Sequence, residues 1–312
     1  MNIIRYKPEM KSRWDAFIDT SKNGTFLIKR DYMDYHADRF TDHSLLFIDD
    51  KDKLLAVMPA NEKEHRLFSH GGLTYGGLVS DASMTTPRML EVFDTFHPYA
   101  RSAGIKNLVY KTIPYIYSRV PAEEDRYALF RQGAVLFRRD VMAVIQQSHR
   151  QPYQERRLRK IKQARNAGLK VVKSQDFGVF WTILEENLRQ RYNVKPVHSL
   201  AEIELLASRF PDHIHLFGCF EDKTMLAGVV VYATDRVAHV QYISASENGK
   251  ELGALDLLFA ELIETVYADH PYFDFGISTE EDGKVLNVGL VEQKEGFGAR
   301  AVVHDHYEMV IQ

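Results

Sequence analysis

The chain has 312 residues, of which 45% are hydrophobic and 27% are charged, with a formal net charge of -3. This length suits two domains of about 150 residues each, and the composition excludes an extensively disordered chain. The small net charge disfavours a general nucleic-acid-binding protein, although basic residues concentrate between Arg156 and Lys173.

The single cysteine, Cys219, excludes an intrachain disulfide bond and any cysteine-rich metal motif. The N-terminus lacks the apolar run of a signal peptide, and no segment approaches the ~20 apolar residues of a membrane span. We therefore expect a cytoplasmic protein without a membrane span and without a bound metal.

Apolar periodicity and turn residues predict the elements of the first half. Strands are predicted at 3–6, 45–48, 54–59, 66–69, 108–112 and 135–145. Helices are predicted at 10–18, 29–36, 87–103 and 123–131. The strands at 45–48 and 54–59 flank a polar turn and form a hairpin.

The second half begins after residues 146–155, which carry no apolar pattern and mark the best domain boundary. Helices are predicted at 152–167, 177–192, 200–210, 252–267 and 284–292. Strands are predicted at 169–172, 214–220, 226–232, 238–244, 273–276 and 301–311. The predicted domains are residues 1–148 and 149–312.

The two halves repeat the same order of elements. The hairpin that starts at Leu45 matches the hairpin that starts at Ile214, and each is followed by strand, loop, helix, strand, helix and strand. A repeat of this length differs from the short modules of solenoid proteins. It indicates a duplicated domain with an α/β (α+β) fold, in which a mixed, mostly antiparallel central sheet is flanked by helices.

This element order resembles the GNAT acyltransferase fold, and two copies in one chain resemble the FemAB-like aminoacyltransferases and their acetyltransferase relatives. The basic segment 156–169, the segment 273–276 and the segment 294–300 resemble helix, strand and terminal motifs of that family. Two features differ from the family: Gln293 stands where an aromatic residue usually precedes the lysine, and no coiled-coil arm is present.

The resemblance implies transfer of an acyl group from a coenzyme A thioester to a small-molecule amine, without a metal. A second possibility is a FemX-like aminoacyltransferase that uses aminoacyl-tRNA and a peptidoglycan precursor. A third is a non-catalytic GNAT-like protein that binds a ligand. The departures at Gln293 and in the missing arm favour the first, whereas the oligomeric state is left open.

The basic helix predicts one binding surface. Its periodicity surrounds a narrow apolar stripe with cations, and the resemblance favours phosphate or tRNA contact by Arg157 and Lys160. A solvated amphipathic helix is the alternative interpretation.

A second surface is predicted where a strand leads into the helix at 252–267. Backbone N–H groups and glycines at a helix N-terminus can receive a pyrophosphate, and GNAT enzymes hold coenzyme A there. Lys250, Gly253 and Leu255 fall at the motif positions, although Leu255 departs from the usual Gly or Ala, so an ordinary helix start stays open. The predicted cofactor-binding residues are Asn248, Gly249, Lys250, Gly253 and Ala254.

The remaining candidates are dispersed along the second half. Tyr192 and His198 lie in a segment that could line a pocket, and His198 could accept a proton; the sequence there also predicts a capping box between Ser199 and Glu202. Strict alternation on the strand at 238–244 places His239 and Gln241 on one face and Tyr242 on the other.

Tyr242 could bind substrate or act as an acid, and Gln241 could bind substrate, although a tyrosine on a strand is also ordinary packing material. The resemblance assigns a functional role to Lys294, whose charge could stabilise an oxyanion or a phosphate. The end of a helix is the alternative explanation of that lysine. The predicted catalytic residues are Tyr242, Lys294 and His198.

Overall fold

A computed structural model of the protein describes residues 1–311, apart from the side chains of Arg191 and Tyr192. Its contacts divide the chain into two compact units. Unit 1 comprises Met1–Asp140, Glu281–Val285 and Val303–Gln312, and unit 2 comprises Val141–Glu280 and Leu286–Val302. Within the described chain, no helix combines the length and the apolar character that a bilayer crossing requires.

Unit 1 contains the following elements. Its strands are β1 (Asn2–Arg5), β2 (Thr41–Asp42), β3 (Leu45–Ile48), β4 (Leu54–Met58), β5 (Asn61–Lys63), β6 (Arg66–Phe68), β7 (Val79–Ser80) and β8 (Asn107–Lys111). Its helices are α1 (Lys11–Thr20), α2 (Arg30–Met33), α3 (Thr86–Ser102) and α4 (Glu124–Arg131). Strands β9 (Val135–Gln146) and β17 (Arg300–Val310) contribute residues to both units.

Two sets of strands surround the core of unit 1. One sheet has the order β1-β3-β4-β7, and in the other set β17 pairs with β8, β8 with β6, β6 with β5 and β5 with β2. The pair of β6 and β8 is parallel, whereas β17 and β8 are antiparallel. Helix α3 buries an apolar face that includes Val92, Phe93 and Phe96 in the same core as Phe47 and Tyr110. Burial of that face drives its packing.

Unit 2 contains the remaining elements. Its helices are α5 (Glu155–Asn166), α6 (Phe177–Tyr192), α7 (Leu200–Arg209), α8 (Glu247–Leu252), α9 (Ala254–Glu261) and α10 (Val288–Glu295). Its strands are β10 (Lys170–Ser174), β11 (Ile214–Glu221), β12 (Thr224–Ala233), β13 (Val237–Ala245), β14 (Tyr272–Ile277), β15 (Thr279–Glu280) and β16 (Val285–Leu286). Val285, the first residue of β16, is assigned to unit 1.

A mixed sheet forms the centre of unit 2. Its strands follow the order β10-β11-β12-β13-β14-β9, and only the pair of β13 and β14 is parallel. Helices α5 and α9 pack on one face around Ile161 and Phe259. On the other face Phe180 of α6 packs so closely on β12 that a Cβ at Gly228 would lie 2.3 Å from its ring. This close packing explains the glycine in the middle of β12.

Two predicted helices differ from the observed ones. The predicted helix 252–267 begins earlier, at Glu247, and is interrupted at Gly253, whose φ of +79° ends α8 and precedes α9. A side chain of Ser246 accepts a hydrogen bond from Gly249 N–H and thereby caps α8. The predicted helix 284–292 is also displaced, because Asn287 caps α10 and residues 285–286 form a short strand.

The predicted α/β fold with mixed, mostly antiparallel sheets and flanking helices is confirmed. The domains 1–148 and 149–312 stay a prediction. The contact-based units are organised differently, because β9 and β17 each supply residues to both units.

Candidate functional site

Strands β13 and β14 diverge in the middle of unit 2. They pair over only three residues, 237–239 with 272–274, and the last pair is His239 with Asp274. Beyond that pair β13 continues to Ala245 with β12 on its other side. Along this part of β13, the edge that faces away from β12 has no strand partner among the residues that the structure describes. Because backbone N–H and C=O groups require hydrogen-bond partners, this edge can bind a ligand.

A β-bulge changes the side-chain pattern of β13. Val230 pairs with Tyr242 while Val231 pairs with Val240, so Gln241 is an extra residue. The strict alternation predicted from the sequence is wrong at this point. Tyr242 packs edge-on against Trp181 of α6 at 5.1 Å between ring centroids, on the face opposite to the core that contains Val240. His239 and Tyr242 consequently lie on the same face of the sheet.

His239 and Asp274 form a buried imidazole–carboxylate pair at the divergence. His239 Nδ1 lies 2.7 Å from Asp274 Oδ2, and Asp274 Oδ1 accepts the Gly276 N–H at 2.7 Å. Asp274 is fully buried. Since the carboxylate holds the hydrogen on Nδ1, Nε2 of His239 carries the lone pair, and it has no hydrogen-bond partner in the part of the chain that the structure describes.

His198 and Tyr242 form a second pair. The Tyr242 hydroxyl lies 2.5 Å from His198 Nδ1 and accepts the His198 main-chain N–H at 3.2 Å. Burial raises the pKa of Tyr242 to about 12, so the phenol stays protonated at neutral pH. The predicted capping box of the following helix is confirmed, because Ser199 and Glu202 bond reciprocally. The pair therefore fixes the segment before α7 to β13.

Lys294 lies on α10, and its side chain is buried. Its Nζ donates hydrogen bonds to the carbonyl oxygens of Gly276 at 3.0 Å and Ile277 at 2.6 Å. Burial lowers the pKa of the ammonium to about 8. The lysine thus holds the end of β14, next to the strand that carries Asp274.

A cationic cavity of about 340 Å³ lies beside α5, α8 and α9. Its lining residues are Arg156, Arg157, Lys160, Gly249, Lys250, Leu255, Asp256, Gly289 and Gln293. Four of these nine residues are cationic and one is acidic, so the cavity is suited to an anionic group.

The arginines of this cavity retain unused hydrogen-bonding capacity. Arg157 Nη1 donates to Asp256 Oδ1 at 2.6 Å and Arg156 Nη2 to the Glu292 carbonyl at 2.7 Å. The Nε atoms of both arginines are buried without a partner in the described part of the chain. Unpaired buried N–H groups are rare in native structures, so the protein contacts described here leave these two guanidinium groups incompletely satisfied.

An apolar cavity of about 280 Å³ adjoins the cationic one and shares Lys250, Leu255 and Gln293 with it. Its other lining residues are Leu184, Asn187, Leu188, Ile243, Ser244, Ala245 and Leu290. Residues 243–245 belong to the part of β13 that no longer pairs with β14. The two cavities therefore offer one continuous path from the cations to the diverging strands.

The glycines at the start of α8 and α9 have packing roles. A Cβ at Gly249 would lie 2.3 Å from the Leu226 carbonyl oxygen, and one at Gly253 would lie 2.8 Å from the Lys160 carbonyl oxygen. Asn248 is exposed and reaches Glu221 at 3.5 Å, whereas Ala254 is buried. Of the five predicted cofactor residues, Gly249 and Lys250 line the cationic cavity.

The structure brings Arg157, Lys160, Gly249 and Lys250 together, and it places His198 against Tyr242. The predicted residue Tyr192 lies outside the side chains that the structure describes. Two aspartates of these sites, Asp274 and Asp256, were not predicted from the sequence. An aspartate in the apolar run 272–277 was the available signal for Asp274, since a carboxylate inside a buried strand needs a partner.

Residues 148–282 match the family model described as an acetyltransferase (GNAT) domain. Enzymes of this family generally use acyl-CoA donors. No curated protein sequence matches the chain.

Three solved structures share the fold of the chain. FemX matches with a TM-score of 0.69 at 10% identity, covering 99% of this chain and 97% of FemX. The C-terminal domain of a putative lysylphosphatidylglycerol synthetase from Agrobacterium fabrum matches with a TM-score of 0.59 at 12% identity, covering 97% and 92%. A tandem GNAT protein from the clavulanic acid biosynthesis pathway matches with a TM-score of 0.51 at 10% identity, covering 100% and 98%.

These likenesses establish the fold, including the predicted tandem GNAT-like architecture, and the family model adds the acyltransferase domain. Residues 148–282 therefore match an acetyltransferase (GNAT) domain, and the chain as a whole shares the fold of FemX and of the tandem GNAT protein.

Proposed function

We propose that the protein is an N-acyltransferase that moves an acyl group from a coenzyme A thioester to an amine, in the cytoplasm where such donors are made. The observation that supports this most strongly is the junction of the cationic and apolar cavities in unit 2. A donor with a phosphate group at one end and a long, mostly uncharged arm matches a cationic cavity that continues into an apolar one. The path leads to residues 243–245 of β13, beyond the point where β13 and β14 diverge.

The cationic cavity is the proposed site of the donor pyrophosphate. Lys160 and Lys250 reach the cavity while donating to the Glu251 carbonyl and to Asn187 Oδ1, at 2.7 and 3.0 Å. Each charge-assisted hydrogen bond to a phosphate contributes about 1.5–3 kcal/mol. Arg156 and Arg157 also line the cavity and add two further cations.

His239 is the proposed general base. As the amine nitrogen attacks the thioester carbonyl carbon, Nε2 of His239 accepts the proton that the nitrogen loses, and the C–S bond then breaks to release the thiolate. Asp274 orients the ring through Nδ1 and stabilises the imidazolium. Positioning of the two substrates supplies much of the remaining acceleration.

Tyr242 is the proposed acid that protonates the leaving thiolate. Its raised pKa keeps the phenol protonated, and His198 lies in hydrogen-bond contact with the hydroxyl. Lys294 is proposed as a positioning residue, because both bonds of its ammonium run to carbonyl oxygens at the end of β14. Gln241 is proposed to contact the acceptor from the bulge.

Isothermal titration with coenzyme A tests this function. Lys160→Gln removes a cation that lines the cavity, whereas Lys162→Gln removes an exposed cation from the same helix outside the cavity. Loss of one phosphate contact predicts about 10–100-fold weaker binding for Lys160→Gln and unchanged binding for Lys162→Gln. Equal affinities in the two variants would contradict the proposed donor site.

A second candidate function is aminoacyl transfer from aminoacyl-tRNA. The fold of FemX and the exposed cations of α5, among them Arg159, Lys162 and Arg165, support it. In that case Lys162→Gln would reduce the salt dependence of tRNA binding by about one counterion. Measurement of that slope separates the two functions, since the acyl-CoA enzyme gives no specific tRNA binding.

A further inference from the structure

Unit 1 contains a buried cluster of two histidines and one aspartate that takes no part in the proposed acyl transfer. Asp140 lies on β9, and His304 and His306 lie on β17. Each offers one potential ligand atom, and these atoms all lie within 4.8 Å of one another. The exposed fractions of the three residues are 2%, 5% and 8%.

The positions of the two histidines on β17, and the hydrogen bond that His304 makes through its other ring nitrogen, orient both rings toward a common cation. His304 and His306 are two positions apart on a strand, so they share one face. His304 Nε2 lies 2.8 Å from the Thr112 carbonyl oxygen. Because a carbonyl only accepts hydrogen bonds, Nε2 carries the hydrogen and Nδ1 keeps the lone pair, as in many metal-binding histidines.

His306 provides an independent indication of a ligand. Its Nε2 is buried and has no hydrogen-bond partner among residues 1–311. The nearest carboxylate oxygen, Asp140 Oδ2, is 3.6 Å away, which is too long for a hydrogen bond. Two ligand atoms of a tetrahedral metal with bonds of about 2.1 Å lie about 3.4 Å apart, so a shared cation fits this separation.

The donor set of the cluster, rather than its charged neighbours, indicates which cations fit. Arg138 Nε donates to Asp140 Oδ2 at 2.8 Å, and the Lys111 ammonium, which donates to the Leu73 carbonyl at 2.5 Å, also faces the cluster. The cluster itself offers only one carboxylate beside two imidazoles, and this donor set disfavours Ca²⁺ and Mg²⁺, which need several oxygen ligands.

We propose that Asp140, His304 and His306 form a site for a divalent transition-metal ion of the Zn²⁺ class. Imidazole and carboxylate are the ligands that such ions prefer. The site is buried, so we assign it a structural role in which the ion links β9 to β17 within unit 1.

Zn²⁺ titration of the purified, chelator-treated full chain tests the proposal, with a competing chromophoric chelator as the readout. We expect one ion per chain with a Kd of about 0.1 µM or tighter, and a thermal midpoint that rises when Zn²⁺ is added. Co²⁺ in place of Zn²⁺ should give the absorption bands of a protein-bound, low-symmetry ion.

His306→Gln is the test variant, because the Nε2 it removes has no partner to lose among the described residues. We expect its Zn²⁺ affinity to fall by about 100-fold or more, while circular dichroism without metal stays unchanged. His149→Gln, which removes an exposed histidine, is the control and should bind like the wild type. Absence of stoichiometric binding to the wild type, or equal affinity in both variants, would overturn the proposal.

Discussion

Replacement of Lys294 by methionine tests the buried ammonium at the end of β14. Burial lowers the pKa of this lysine from 10.5 to about 8 in the folded chain. One pKa unit corresponds to about 1.4 kcal/mol, so the difference is worth about 3 kcal/mol of unfolding free energy. The unfolded chain binds more protons between pH 8 and pH 10.5, and stability from this group therefore rises with pH across that window.

Lys294→Met removes this pH dependence and also leaves the Gly276 and Ile277 carbonyl oxygens without their lysine donor. Loss of the donor costs about 1–3 kcal/mol for each of the two carbonyl oxygens. Removal of the buried Lys294 charge offsets about 3 kcal/mol of this total cost at pH 7. We therefore expect the variant to be less stable than the wild type by at most about 3 kcal/mol at pH 7, and by a larger amount at pH 10.

Urea denaturation at several pH values measures both effects. A Trp14→Phe background leaves Trp181, which is buried in unit 2, as the fluorescent reporter. Lys284→Met, an exposed lysine in the same part of the sequence, is the matched control. Lys111 also has a lowered pKa but is present in every variant, so its contribution cancels. Parallel pH curves for the wild type and Lys294→Met would show that the pKa of Lys294 is not lowered in the folded chain.

Three further predictions concern the diverging strands and the helix starts. Asp274→Asn should lower kcat by about 100-fold with little change in KM, because a general base loses the carboxylate that orients it; steady-state kinetics that show an unchanged kcat would contradict this role. Tyr242→Phe should destabilise the chain by about 1–3 kcal/mol in thermal denaturation, because the His198 N–H loses its acceptor. Gly253→Ala should cost about 2–4 kcal/mol, from a φ of +79° and a Cβ 2.8 Å from the Lys160 carbonyl oxygen. Gly168→Ala, with a φ of +76° and no atom within 4 Å of the new Cβ, should cost only about 1–2 kcal/mol, and equal losses would exclude the close contact.

Local sequence patterns predict most of the fold. The hairpin of β11 and β12 and the helix α6 follow from apolar periodicity and from the polar residues that separate the elements. Ser199 and Glu202 identify the start of α7 because capping depends only on neighbouring residues. These features are specified within one element and need no tertiary information.

Features that depend on pairing between strands could not be predicted in this way. The bulge at Gln241 arises from the register of β12 and β13, and it brings Tyr242 to the face of His239 against the predicted alternation. The partnership of His239 with Asp274 spans 35 positions and follows from the parallel pairing of β13 and β14. The interruption at Gly253 also required the position of α5, whose Lys160 carbonyl approaches that residue.

The most direct test of the proposed function is product analysis by mass spectrometry. The wild type and Asp274→Asn would be incubated with a panel of small amines and either an acyl-CoA or an aminoacyl-tRNA. We expect an acylated amine from the acyl-CoA with the wild type and about 100-fold less product with Asp274→Asn. A product from aminoacyl-tRNA alone, or no product from either donor across the amines, would contradict it.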